Sequence, residues 1–122
     1  MRDFRKLDVW SRAHHLTPQV FETTKSFPSI ERFGLSAQMR RSVVSIPSNI
    51  AEGAGRSTRR DYARFLDIAL GSAHELDYQL QLARDLGYTD SDRYDELAKE
   101  LVEVRSMAAG LKASILADGD SA

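Results

Sequence analysis

YDELAKELVEVRSMAAGLKASI, residues 94 to 115, decides the fold. Tyr94, Leu97, Leu101, Val104, Ala108, Leu111 and Ile115 recur at alternating steps of three and four, which lines them along one side of an α-helix. That repeat describes a helix packed in a bundle or in the manner of a coiled coil. Just upstream, Leu86-Gly87-Tyr88-Thr89 ends the preceding helix on a glycine, and Asp90 or Thr89 caps this one. Downstream, residues 118–122 form a polar tail with nothing to bury and are expected to be disordered.

The same periodicity runs back through the chain. A third helix is predicted from Thr58, whose spacing to Asp61 matches a capping box, with Tyr62, Phe65, Leu66, Ala69, Ala73, Leu76, Leu80 and Ala83 facing the core. Before it, Ser36 is read as the cap of a second helix that reaches Gly53 or Gly55, where a glycine suits a left-handed C-terminal position. Met39, Val43, Ile46 and Ile50 are its core positions. The first helix is predicted from about Asp8, read as an N-cap, to Ser26, with Val9, Ala13, Leu16, Val20, Thr24 and Phe27 inward. Pro18 and Pro47 interrupt hydrogen bonding within helices one and two and are expected to bend them. Short connections and no alternating strand pattern make this an all-α chain, an antiparallel up-and-down four-helix bundle forming one domain over residues 1–117.

Beside the core of the second helix runs a polar line: Gln38, Arg41, Ser42, Ser45, Asn49 and Glu52. A second line on the third helix, Ile68, Ser72, Glu75, Gln79 and Leu82, mixes polar and apolar groups and is placed to meet it. Polar groups flanking a core need partners, because an unmade buried hydrogen bond costs on the order of 1–3 kcal/mol. Ser72 and Glu75 are therefore candidates to bond Ser45 or Asn49.

Charge is uneven along the 122 residues. Residues 1–64 hold 12 Lys and Arg against 6 Asp and Glu, and residues 65–122 hold 5 against 12, so a net charge of -1 conceals halves of +6 and -7. A basic half suggests a surface that faces a polyanion, although a near-neutral whole argues against strong sequence-independent binding by a monomer. The stretch from Asn49 to Arg60 concentrates this basic character at a turn, with Arg56, Arg59 and Arg60 beside the start of the third helix and Arg64 one turn on. Free N–H groups at a helix start favour anions, so RNA or DNA phosphates are candidate ligands for these residues together with Arg40 and Arg41. Pairing of the arginines with acidic residues would consume the patch without any ligand.

Other chemistry is absent from the pattern. The chain has no cysteine, which excludes disulfides and thiolate sites and points to a cytoplasmic setting. No apolar run approaches the roughly 20 residues of a membrane span. Glu-x-x-His pairs do not occur, His74-Glu75-Leu76-Asp77-Tyr78 has tyrosine where a zinc protease motif needs histidine, and Gly53 to Thr58 lacks the spacing and lysine of a P-loop. No catalytic residue, metal ligand or cofactor is assigned, and the expectation is a protein that is not an enzyme.

Several blocks carry a family likeness in order: Phe4 to Trp10; Phe27-Pro28 through Phe33-Gly34-Leu35 to Gln38-Met39-Arg40-Arg41; Ser45 to Gly53; and Gly71-Ser72 with Glu75-Leu76. Together they resemble the four-helix-bundle proteins encoded in intervening sequences of 23S ribosomal RNA genes. That family is similar in fold to the accessory variability protein of diversity-generating retroelements, a basic pentameric barrel that binds nucleic acid and its reverse transcriptase. The resemblance implies a homopentamer with no established biochemical activity. It also singles out Gln38, Arg41, Ser45, Asn49, Glu52, Ser72 and Glu75 as a polar set joining helices or subunits. Two functions follow: an oligomer that binds nucleic acid through Arg40, Arg41, Arg56, Arg59, Arg60 and Arg64, or a scaffold that binds a protein partner.

Overall fold

The structure, a computed structural model, describes residues 2–120. Among these, four α-helices follow one another: α1 (Asp8–Thr24), α2 (Leu35–Ala54), α3 (Arg59–Asp85) and α4 (Ser91–Asp120), with 3-10 turns at Phe4–Lys6 and Ser29–Glu31. The connections span 10, 4 and 5 residues, too short to carry the chain back along the bundle, so neighbours run antiparallel. Each helix packs on its neighbours in sequence, α1 closes the ring against α4, and the diagonal pairs do not approach closely. This is the expected antiparallel up-and-down four-helix bundle.

The spacing argument holds residue by residue. Every inward position named for α1 and α2 is buried, as are those of α3 except Phe65 and those of α4 except Tyr94 and Leu111, which are half-buried at the margin. Pro47 lies within α2 and lacks the N–H that would bond Val43 O; the Thr17 hydroxyl of α1, which donates to Ala13 O at 2.9 Å, sits 3.4 Å from that freed carbonyl. α1 continues through Pro18 as one helix.

Two caps fall where the sequence places them. Thr58 Oγ1 accepts from Asp61 N at 3.1 Å, and Asp90 Oδ1 accepts from Arg93 N at 2.7 Å. Gly87 closes α3 with φ 77°, its N–H donating to Arg84 O while Tyr88 N–H donates to Ala83 O, both at 2.9 Å.

Four terminal assignments need correction. Asp8 is the first residue of α1 rather than its cap, which is Leu7 with no side-chain bond. Ser36 is buried in the first turn of α2. The start of that helix is served instead by Glu31, reaching forward from the preceding turn to accept from Leu35 N at 3.2 Å. Its second carboxylate oxygen accepts from the Tyr88 hydroxyl at 2.9 Å, and this bond, then burial and the carboxylate charge, hold Tyr88 above its usual pKa. Gly55 has a helical φ of -85°, so no left-handed residue ends α2. Gly53 serves packing: a Cβ there would stand 3.0 Å from both Phe65 Cβ and Tyr62 Cδ1 and 3.2 Å from Tyr62 O. Finally, α4 stays helical through Asp120, into the expected tail, while residues 121 and 122 lie outside the described residues.

Candidate functional site

The polar lines of α2 and α3 meet in a groove of about 480 Å³ lined by Gln38, Arg41, Ser42, Ser45, Ser72, Glu75 and Gln79. Antiparallel packing makes it a ladder, since a step back along α2 matches the same step forward along α3. The lower rungs are closed. Ser45 and Ser72 hydroxyls lie 2.7 Å apart, and Asn49 Nδ2 donates to Ser45 O at 2.8 Å and to Ser45 Oγ at 3.0 Å. One turn on, Arg41 and Glu75 share the groove without forming an ion pair, and both are exposed. Beyond them Gln79 is 7% exposed, and its Oε1 is fully buried with no hydrogen-bond partner. Leaving such an acceptor unmade costs on the order of 1–3 kcal/mol. The burial of Gln79 is the feature least visible in sequence, its only signal being its place one turn past Glu75 on the polar line.

The six arginines do not gather into one patch. Arg40 turns toward α1, where Nε donates to Thr24 Oγ1 at 2.8 Å, Nη2 to Phe21 O at 3.3 Å, and the guanidinium lies over the Phe21 ring. Arg41 lines the groove, about 21 Å along α2 from the turn at the helical rise of 1.5 Å per residue. At the turn, Asp61 takes two cations: Arg64 Nη2 at 2.9 Å and Arg56 Nε at 3.6 Å. Glu52 lies 3.5 Å from Arg56 Nη2, and the Arg56 and Arg64 guanidinium groups both sit over the Phe65 ring. Phe65, half-buried, carries both cations on its ring. Glu52 thus belongs to the turn rather than to the ladder. Arg59 and Arg60 are exposed with no ion pair among the described residues. Arg60 edges a cleft of about 530 Å³ that also holds Asp61 and the Asp67 partner of Lys112.

The turn is further fastened by Arg2, whose Nη1 donates to Ala54 O at 3.3 Å and Arg56 O at 3.1 Å while the guanidinium lies over Tyr62. A cation placed on the last carbonyls of α2 complements the negative end of that helix. Tyr62 is buried and its hydroxyl has no hydrogen-bond partner; burial raises its pKa, partly opposed by the Arg2 charge. Among the described residues no group of three or more His, Asp or Glu could hold a metal ion, and no helix is long and apolar enough to cross a membrane.

Residues 5–110 match the family described as 23S rRNA-intervening sequence protein. The chain belongs to that family. Its fold is shared with the crystal structure of a protein of unknown function from the S23 ribosomal protein family of Bacteroides thetaiotaomicron. That structure has a TM-score of 0.80 at 24% identity, covering 86% of this chain and 95% of that one. No curated protein matches the chain. Members of the family, this one included, are of uncharacterised function, and the match spans both the ladder and the arginine turn.

Proposed function

We propose that the protein is a non-enzymatic cytoplasmic scaffold that assembles as a homopentamer. The observation that carries this reading is the α1–α2 connection, where Ile30 is 84% and Phe33 88% exposed. The bundle core takes in neither side chain, the Phe33 ring carrying only the Arg32 guanidinium at 5.3 Å, and burying a large apolar group is worth about 1.5–3 kcal/mol. A second copy that covers them through a different surface makes a head-to-tail contact, which closes into a ring when the rotation is right. Internal neutralisation of Arg56 and Arg64 favours scaffold over nucleic-acid binder. Native mass spectrometry and light scattering test the reading. A pentamer is expected, with folded monomers when Ile30 and Phe33 both become Asp; a monomeric wild-type chain would overturn it.

One observation favours a second reading, in which Arg59 and Arg60 bind RNA or DNA phosphates: these two cations have no ion pair among the described residues. Binding of this kind weakens with salt. Replacing both by Ala should lower the slope of log K against log salt by about 2. An unchanged slope removes Arg59 and Arg60 from the site.

A further inference from the structure

The open end of the ladder has the attributes of a small-molecule site. It is concave, of a volume that suits a ligand of modest size, and it carries opposite charges on its two walls: Arg41 on α2 and Glu75 on α3. These groups stand at one level of the bundle, one turn beyond the touching hydroxyls of Ser45 and Ser72, and leave each other unpaired. Behind them Gln79 presents a buried carbonyl oxygen that no donor reaches.

Each group excludes ligands that would suit the others. An inorganic anion or a nucleic-acid phosphate would meet Arg41 but be repelled by Glu75. A metal cation would meet a single carboxylate and be repelled by Arg41. A molecule carrying both a carboxylate and an ammonium group complements both walls at once. We propose that the α2–α3 groove binds a small zwitterion of the α-amino acid class, with its carboxylate on Arg41 and its ammonium group on Glu75. The remaining surface is polar, with Ser42, Ser45, Ser72 and the Gln38 amide, so a polar amino acid side chain fits better than an aliphatic one.

Calorimetry and thermal melting of the intact protein test this with L-glutamine, L-leucine, N-acetyl-L-glutamine and L-glutamine α-amide at about 10 mM, a concentration at which millimolar binding still raises the melting temperature. L-Glutamine should give saturable heat and a higher melting temperature, with L-leucine weaker. Each capped form, lacking one charge, should bind about tenfold more weakly or worse. Arg41→Ala and Glu75→Gln should each cost a similar factor while keeping the helical circular dichroism of the parent, because both side chains are exposed. No response to either amino acid, an equal response to the capped forms, or unchanged binding by both variants would overturn the proposal. A monomer that binds L-glutamine in this way would overturn the assembly reading and leave this one standing.

Discussion

Replacing Gly53 with Ala sets two opposing terms against each other. Ala is the better helix former by about 1 kcal/mol in a helix interior, and less at the last turn of α2 where position 53 lies. Against this, the new methyl would stand 3.0 Å from Phe65 Cβ and 3.2 Å from the Tyr62 carbonyl oxygen. One of those atoms is main chain and the other is bonded directly to it, so neither can swing aside by a rotamer change. Relief requires α2 and α3 to part, and overpacking of this kind costs about 1–3 kcal/mol. Packing wins, and Gly53→Ala should destabilise by about 1–2 kcal/mol net. Gly71→Ala is the control. It sits inside α3, exposed, with nothing within 4 Å of the added methyl, so the propensity term acts alone and the variant should gain about 1 kcal/mol. Urea denaturation at one fixed protein concentration measures both, with parallel slopes and midpoints shifted in opposite directions. If Gly53→Ala is as stable as Gly71→Ala, the close approach of α2 and α3 is not what requires the glycine.

Other substitutions separate structure from binding. Arg40→Ala should destabilise by about 1–2 kcal/mol through loss of its bonds to Thr24 and Phe21, in urea melts, while leaving any polyanion affinity unchanged. Asp61→Asn releases Arg56 and Arg64, so filter binding to RNA should tighten and steepen with salt if that turn meets phosphate. Alkali should destabilise the fold. Tyr62 and Tyr88 both have pKa values raised above 10.0 in the folded chain, so their contribution is complete below pH 10.0 and is lost as pH rises through the folded values. Denaturation followed from neutral pH into that range should show this fall, and Tyr62→Phe, which also removes a buried hydroxyl without a partner, should make it shallower.

Core positions were legible in the sequence because burial on a helix repeats with the helix itself, and a step of three or four needs no knowledge of neighbours. The closed rungs of the ladder were legible for the same reason: Ser45 and Ser72 each sit on a polar line beside a core line. What failed was information held by distant residues. Ser36 has the chemistry of a cap, yet Glu31 takes that role because the 3-10 turn aims its carboxylate forward onto Leu35 N while Tyr88, far along the chain, holds the other oxygen. Arg40 and Arg41 look alike as neighbours in sequence; about 100° of helical rotation sends one against α1 and the other into the groove. Charge density at the turn was visible, whereas its neutralisation by Asp61 and Glu52 depends on side-chain reach that spacing alone leaves open.

The closed ring of helices also orders events in time. Contacts between α1 and α2, α2 and α3, and α3 and α4 join elements separated by short connections, but the seam between α1 and α4 closes a loop through most of the chain. Loop closure over such a span is entropically slow to be rewarded, so that seam is expected to form last and open first. It is held by Arg93 on Thr23 Oγ1 and Gln19 O, by Gln19 Nε2 on Glu100, and by Arg12 paired with Glu103. Weakening these bonds should speed unfolding and leave the folding rate nearly untouched, which makes the α1–α4 seam the place where the lifetime of the native state is set.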